Sequence, residues 1–493
     1  MAALVALGGG AVVINRFLVG VFYDDGLYAG LALALAHGLG YVHPHLPHTP
    51  AAVHYPPLWP LMLAPIFGLL PLGAAALAGK VLNLLLAAAA AGLVSWHAER
   101  VRLLGDDAPI WLVPAVVGGT AIAIPILATQ AVLFSEPLFA VLLATTVILA
   151  DRPPPAFSPR AAALLLGAVI ALALLERSIA IAVAGGVTLW WLGARRARWR
   201  ELPALLVLPA VAAALWEAWL LSHRHAIDPA MAINYGTYFE TVKETGLAAF
   251  GRSAPDLARP IAALTLGYIP SLPLFLLFGA CEIALGLYGL WLLRRRSSIA
   301  AILVLYLAIL AIWPFPPDRF LWVVLPWLAL AWAAGVNALW RHRHLRLPVL
   351  VVTILVTGGY ASYEIRGFAN RWWGSTAHAI SLNWSQLLPW LGAELPKDAV
   401  LATDDEALVW LYTGRTTVPF YVYGYSGRET VEPTPADHLA YLRRMGVTHI
   451  LLSGPAGESA RELDALLGAY PGLLTIVHGW PGRRALFVVN RER

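Results

Sequence analysis

Charge is what this sequence has least of. Only 13% of its 493 residues are Asp, Glu, Lys or Arg against 59% hydrophobic ones, and the mean hydropathy is +0.69. Soluble domains carry about a quarter charged residues, so a surface made from this composition must face lipid. Cysteine is nearly missing. Cys281 stands alone in an apolar run, which excludes an intrachain disulfide and a cysteine-based zinc site. There is no heptad array, solenoid-length repeat or low-complexity tract, and the proline-rich stretch Arg152-Pro153-Pro154-Pro155 reads as a loop. The formal net charge of +5 is not a nucleic-acid footprint, because the basic residues form short clusters between apolar runs and no continuous face. The chain also lacks a basic opening region with a cleavage site after it, so residues 2–22 are expected to be a retained first span.

What is present is a series of apolar runs. Those long enough to cross a bilayer, roughly 20 residues or a little fewer, lie near 2–22, 73–96, 109–126, 135–150, 161–176, 178–193, 202–221, 273–293, 298–313, 320–340 and 347–363. The sequence thus predicts a polytopic α-helical membrane protein with about eleven transmembrane helices. Basic residues cluster at Arg100/Arg102, Arg152/Arg160, Arg195/Arg196/Arg198/Arg200, Arg294/Arg295/Arg296 and Arg341/Arg343/Arg346. These clusters fall in alternate loops, so one side collects them all and is cytoplasmic. The other side receives segment 23–58, which contains no Lys or Arg, a turn near 127–134, the turn Glu176-Arg177, loop 222–272, turn 314–319 and everything after 364. Arg greatly outnumbers Lys and Ala is abundant, the mark of a GC-rich prokaryotic genome, so the membrane is read as the bacterial cytoplasmic (inner) membrane.

Polar residues return in the tail. Ala399–Thr403, Thr448–Ser453, Leu473–His478 and Ala485–Asn490 read as strands, and 434–446 and 458–469 as helices. Thr434-Pro435-Ala436-Asp437 supplies a Thr cap, Pro in the first turn and an acid near the positive end of the dipole. Alternating strands and helices imply a small α/β domain. The expected division is a transmembrane domain over 1–363, with outer loops 23–58 and 222–272, and an extracytoplasmic α/β domain over 364–493.

The first outer loop opens Tyr23-Asp24-Asp25-Gly26-Leu27-Tyr28, continues as a short apolar helix over 29–37 and closes with His54-Tyr55-Pro56-Pro57-Leu58-Trp59-Pro60. Two carboxylates just past a span suit a general base or a metal ligand. An Asp before a helix is also an ordinary N-cap, but one would suffice for that. His37, His43, His45, His48 and His54, five of the fourteen histidines, share this loop; with Asp24 or Asp25 they can bind a divalent cation, although the spacing matches no standard motif. Glu136, Arg177 and Arg319 sit at span ends on the same side. Ionisable residues at membrane depth suggest function, whereas Glu176–Arg177 and Asp318–Arg319 can also be snorkelling interfacial pairs. Lys80, Glu217 and Glu282 lie deeper in apolar runs. Carboxylates and arginines gathered on one face suit transfer from a lipid phosphate, the base taking a proton from an acceptor hydroxyl while cations stabilise the departing phosphate.

At four places the chain resembles the GT-C superfamily, membrane glycosyltransferases that use polyprenyl-phosphate-linked sugars and include protein O-mannosyltransferases, lipid A aminoarabinose transferases and mycobacterial arabinosyltransferases. Asp24-Asp25-Gly26-Leu27-Tyr28 resembles the acidic first-loop motif, and Tyr55-Pro56-Pro57-Leu58-Trp59-Pro60-Leu61 the segment that closes this loop. Ser135-Glu136-Pro137-Leu138-Phe139 resembles a Ser-Glu element of bacterial members, and Arg319-Phe320-Leu321 with Pro326 a late Arg-Tyr-Leu-Leu-Pro pattern. In the tail, Leu411-Tyr412-Thr413-Gly414-Arg415 looks like part of the outer α/β domain of many bacterial members. The chain departs at Tyr55, where the lipid A enzymes have Lys, so the phosphate charge would have to come from Arg319 or Arg177.

The resemblance implies an inverting transferase with Asp24 as base, Asp25 orienting the acceptor or binding a metal, and Glu136 doing either. Arg319 and Arg177 would bind the donor phosphate, His54 would contact acceptor or metal, and Tyr28 and Tyr55 would belong to the substrate loop. The implied partners are a polyprenyl-phosphate sugar donor whose tail lies in a groove between spans, a glycan, lipid or protein acceptor, and membrane lipids. Members differ in metal dependence, so a divalent cation is a candidate cofactor and no cofactor is firmly implied. Asn234, Tyr235, Tyr238 and Glu240 are candidate sugar contacts, and the sequon Asn383-Trp384-Ser385 is taken as incidental. A non-enzymatic transporter or flippase of lipid-linked glycans is the alternative, but it should show internal repeats and deep ionisable residues. An O-antigen-ligase-like enzyme would not require the acidic loop.

Overall fold

A computed structural model describes residues 1–193, 199–237, 250–313, 316–426, 429–454 and 456–490, without the side chains of 250–255 and 425–426. Arg195, Arg196, Arg198, Tyr238 and Glu240 lie outside the described residues. The chain forms two compact units, one made of Met1–Asn15, Lys80–Ala218 and Gly246–Ser375, the other of Arg16–Gly79, Trp219–Thr245 and Thr376–Arg493.

The first unit is built on apolar helices. Among the described residues of the chain, six helices are long and apolar enough to cross a membrane: Leu72–Arg100, Pro159–Glu176, Leu202–His223, Leu272–Leu293, Asp318–Trp340 and Arg343–Ala369. A bent pair, Leu112–Ala121 and Ile124–Gln130, makes a seventh if it is counted as one span. The chain is a multi-pass membrane protein. Each predicted apolar run contains a helix, with two departures. The first helix, Ala2–Val13, stops well short of residue 22, because Asn15 turns to donate from Nδ2 to the Val13 and Ala131 carbonyls at 3.0 and 2.8 Å. Run 109–126 bends by 57° at Ile122–Ala123. Pro125, which has no N–H, follows the break, and the Ile124 N–H donates to Glu364 Oε2 at 2.9 Å.

Lipid supplies no hydrophobic force between helices, so small residues must let backbones approach. A Cβ on Gly289 would collide with the Ala331 carbonyl, and one on Gly335 with the Leu285 carbonyl, which brings helices Leu272–Leu293 and Asp318–Trp340 to backbone contact. A polar lock joins three other helix ends. His97 Nε2 and Asp151 Oδ2 are 2.8 Å apart, with side chains 1% and 2% exposed, and Asp151 Oδ1 accepts from the Ser298 N–H at 2.7 Å. Asp151→Ala leaves both partners buried without their acceptor. It should cost about 2–4 kcal/mol, seen as a clear drop in the thermal unfolding midpoint in micelles; an unchanged midpoint would show the lock to be idle.

The second unit carries the acidic loop and the α/β tail. A five-stranded mixed sheet runs in the order β2-β1-β5-β7-β6, where β1 is Val400–Thr403, β2 Thr416–Pro419, β5 His449–Leu452, β6 Leu474–Trp480 and β7 Arg484–Val489. Strands β1, β2 and β5 are parallel, and β7 is antiparallel to both neighbours. A separate hairpin pairs β3 (Gly424–Ser426) with β4 (Glu429–Val431). The four predicted strands and the helices Pro435–Arg444 and Glu458–Ala469 are present, and Thr434 Oγ1 caps the former by accepting from the Asp437 N–H. Strand β2 and helices Leu58–Leu69 and Ser375–Glu394 were not foreseen. The first of these begins within the segment expected to close the outer loop, and Pro60 falls in its first turn, where Pro is well accommodated.

Candidate active site

In the second unit, helix Asp24–Ala36 begins earlier than expected and holds both acids in its first turn. It is entered by a tight turn in which Asp24 N–H donates to Phe22 O at 2.6 Å and Tyr23 has φ 60° and ψ −72°. That is the rare positive-φ form of the γ-turn, strained for any L side chain. Asp25 holds it closed. Its carboxylate is fully buried and accepts the Gly20 N–H at 2.9 Å and the Phe22 N–H at 3.0 Å. Neither Asp caps the helix in the ordinary way; Asp25 instead reaches back to satisfy backbone donors in front of it. Gly20 is required here, for its φ is +98° and a Cβ would press on the Leu408 backbone.

Asp24 is differently placed. It is half-buried, and its Oδ1 accepts the Tyr55 hydroxyl proton at 2.7 Å. The Tyr28 and Tyr55 rings pack 4.9 Å apart, and Tyr41 donates to the Tyr55 carbonyl at 2.8 Å. Tyr55 therefore spans the two ends of the loop, in the position where the lipid A enzymes have Lys. His54 is buried and its Nδ1 donates to the Gly236 carbonyl at 2.7 Å. Burial lowers its pKa, and the Gly236 bond and the Asp24 charge oppose that only in part.

Beneath the turn lies a buried polar chain that joins His45 and Tyr235, both named from the sequence, to Glu406, which was not. His45 Nε2 is 2.8 Å from the Tyr235 hydroxyl, which donates to Glu406 Oε1. His43 packs edge-on to Tyr235 with ring centroids 4.8 Å apart. Burial pushes Glu406 up to about 8, against the pull of the Tyr235 hydroxyl, and His45 down to about 3. Both shifts disfavour charge in this cluster. The signal for Glu406 was the acidic triplet Asp404-Asp405-Glu406 in an otherwise lipophilic chain. Among the described residues no three His, Cys, Asp or Glu side chains are grouped to hold a metal ion. His37 and His48 are exposed.

In the first unit, Glu136, Arg177 and Arg319 come together. Arg177 Nη1 and Arg319 Nη2 both lie against Glu136 Oε1, at 3.0 and 2.9 Å, and the Glu136 side chain is 3% exposed. Arg177 also donates to Ser135 Oγ at 3.2 Å and lies over the Phe320 ring; Arg319 lies over the Phe134 ring. Two guanidinium groups on one carboxylate leave one positive charge in excess among these three residues. Glu136, expected to meet acceptor or metal, thus has Oε1 engaged by cations. The turn before it is fixed by Asn83, whose Nδ2 donates to the Val132 and Phe134 carbonyls at 2.9 and 3.0 Å. Lys80 Nζ, one helical turn earlier and 1% exposed, donates to Asn15 Oδ1 at 2.8 Å. Of the other deep charges, Glu282 accepts from Thr265 Oγ1 at 2.9 Å and Glu217 is exposed. The same unit contains an apolar cavity of about 570 Å3 bordered by Leu264, Leu287, Leu325 and Tyr360, with Glu282 and Thr265 in its wall.

The architecture can be set against known structures. The oligosaccharyltransferase of Archaeoglobus fulgidus, in a complex with zinc and sulfate, superposes with a TM-score of 0.53 at 14% identity, over 92% of this chain and 67% of that one. This chain has the GT-C fold. The same archaeal enzyme tethered to an acceptor peptide gives a TM-score of 0.50 at 13% identity, over 100% and 74% of the two chains. ArnT from Cupriavidus metallidurans bound to undecaprenyl phosphate is also similar, at 17% identity over 99% and 97%, with a TM-score of 0.48. No protein-family model and no curated protein matches the sequence. At such identities the GT-C fold is what the likeness establishes, and chemistry has to be argued from residues.

Proposed function

We propose that the chain is an inverting glycosyltransferase. It moves a sugar from a polyprenyl-phosphate-linked donor to an acceptor hydroxyl at the outer face of the bacterial cytoplasmic membrane, which about eleven of its helices cross. The acidic loop and the α/β tail, residues 364–493 in the sequence reading, are extracytoplasmic in this proposal. The observation that carries it is the unequal state of two adjacent carboxylates. Asp25 is buried with a backbone N–H on each oxygen and is committed to holding the turn, whereas Asp24 is half-buried beside a tyrosine hydroxyl. Asp24 is the base. It removes the acceptor proton as the acceptor oxygen attacks the anomeric carbon, and the bond from that carbon to the phosphate oxygen breaks with inversion. Polyprenyl phosphate leaves carrying the bonding electrons and needs no strong acid.

The anionic leaving group calls for fixed cations. Arg319 and Arg177 supply them, and Glu136 sets their directions. The apolar cavity suits a polyprenyl tail. Tyr28 and Tyr55 shape the loop, and His54 borders the acceptor path as a neutral donor. The archaeal neighbour's zinc keeps a divalent cation in view as a cofactor, although the described residues present no ligand group for one.

Reconstituted protein should release polyprenyl phosphate from a polyprenyl-phosphate hexose or pentose in the presence of acceptor. Arg319→Ala should raise the donor KM about 10- to 100-fold, the loss of one charged hydrogen bond. Movement of labelled lipid-linked sugar between leaflets with no bond cleavage would make the chain a transporter, and an unchanged KM would remove Arg319 from the site.

A further inference from the structure

The second unit contains a cavity of about 440 Å3 that the transfer chemistry above does not use. Tyr23, Asn234, Asp404, Tyr421, Tyr423 and Ser459 line it. Its volume is in the small-molecule range of about 300–1,000 Å3. Tyr421 and Tyr423, two apart in sequence, have rings 5.0 Å apart and inclined by only 24°, so one ring stacks on the other and the two form a single aromatic stack in the cavity lining. The Tyr423 hydroxyl lies 3.4 Å from Asn234 Oδ1. Asp404 is fixed in the wall by the hydroxyls of Ser453, at 3.1 Å, and Ser459. Tyr23 is the strained residue of the γ-turn and directly precedes Asp24.

The wall selects by chemistry. An apolar ligand would leave the carboxylate, amide and hydroxyl groups desolvated and unpaired. A phosphate or nucleotide would meet Asp404 and Glu458 with no Lys, Arg or His among the described lining residues. A neutral ring with an apolar C–H face and a rim of hydroxyls satisfies both halves of the wall, stacking on tyrosine and donating to carboxylate and amide oxygens. The strain at Tyr23 also needs a reason. A backbone held in a sparsely populated region costs about 1–3 kcal/mol and persists where surrounding structure fixes it; here Asp25 fixes it, and the result sets Tyr23 in the cavity wall one residue from the proposed base.

We propose that this cavity is the acceptor site and that the acceptor is a carbohydrate, seated on Tyr421 and Tyr423 with its reacting hydroxyl delivered past Tyr23 to Asp24. The proposal rests on the transferase reading and narrows its acceptor from glycan, lipid or protein to glycan. Saturation-transfer NMR on the full chain in nanodiscs, with mannotriose, maltotriose and arabinotriose as probes, tests it. At least one trisaccharide should bind. Tyr421→Ala and Tyr423→Ala should each weaken that binding about five- to tenfold. Tyr423→Leu, which keeps apolar bulk and protects against a folding artefact, should do the same. Asp24→Asn should leave saccharide affinity within about twofold while stopping transfer. Failure of all three saccharides to bind overturns the proposal, as does binding indifferent to both tyrosines. Selective binding of a Ser/Thr-containing hexapeptide that depends on Tyr421 and Tyr423 would also overturn it and make the cavity a peptide site. The two readings fail separately: sugar transfer to a non-carbohydrate acceptor without saccharide binding sinks only the cavity, and tyrosine-dependent saccharide binding without cleavage of any polyprenyl-phosphate donor sinks the transferase.

Discussion

Asp24→Asn is expected to stop sugar transfer while leaving the fold and donor affinity intact. An amide of the same shape can still accept the Tyr55 hydroxyl, so the loop keeps its form, but it has no basic oxygen for the acceptor proton. General-base removal typically costs about 10²–10⁴ in rate. The loss should appear in kcat with donor KM nearly constant, because the phosphate contacts are assigned to other residues. Asp25→Asn is the informative companion. Its amide nitrogen cannot accept from Gly20 or Phe22, so one backbone donor is left unsatisfied and the γ-turn should loosen. The expected result is a fall in the thermal midpoint together with activity. Near-normal turnover in Asp24→Asn, or a stable but dead Asp25→Asn, would reverse the assignment.

The second large effect is expected at Glu136. Its carboxylate is 3% exposed and carries both Arg177 and Arg319 on one oxygen. Removing one member of a buried ion pair typically costs about 3–5 kcal/mol, mainly because the remaining charge is left buried without its partner. Glu136→Ala should therefore lower the unfolding midpoint strongly, and in the fraction that folds the donor KM should rise because both guanidinium groups lose the carboxylate that they share. Glu136→Gln keeps an oxygen acceptor of the same reach and should recover part of the midpoint. Arg177 is 12% exposed at its side chain and Arg319 35%, so Arg177 is expected to contribute more to stability and Arg319 more to donor binding. Equal midpoints for wild type, Glu136→Ala and Glu136→Gln would show that the clamp holds nothing.

Much of this architecture was legible because a membrane imposes a simple code. An apolar run of sufficient length has to be a helix, and each predicted run contains one. The tail's strands were legible for a similar reason, as short β-branched runs between turn residues. What escaped depended on contacts distant in sequence. The early end of the first helix depends on Asn15 reaching the Ala131 carbonyl, and the bend at Ala123 on Pro125 with Glu364 across the bundle. Neither partner can be chosen from local pattern. At the site, the two acids and the three charges Glu136, Arg177 and Arg319 were legible as rare ionisable residues in an apolar chain. Their pairing was not. Two arginines separated by 142 positions in the numbering share one oxygen, and no spacing rule anticipates that. Tyr55 shows the limit of resemblance, since a residue that looked like a missing cation is the hydrogen-bond partner of Asp24.

The turn that presents Asp24 has a consequence for when the protein becomes competent. Leu18 N–H donates to Ser381 Oγ, Val19 N–H to the Tyr412 hydroxyl, and Gly20 lies against Leu408. The amino-terminal residues leave the ribosome first, but the groups that hold them are translated some 360 to 390 positions later. Contacts so far apart are formed late and at a high loop-closure cost. Until the last quarter of the chain has been synthesised, the turn has only the local Asp25 contacts to hold it and lacks the packing of Ser381, Leu408 and Tyr412 against the residues before it. A chain released early, by truncation before Tyr412, would carry Asp24 and Asp25 without the full packing behind their turn.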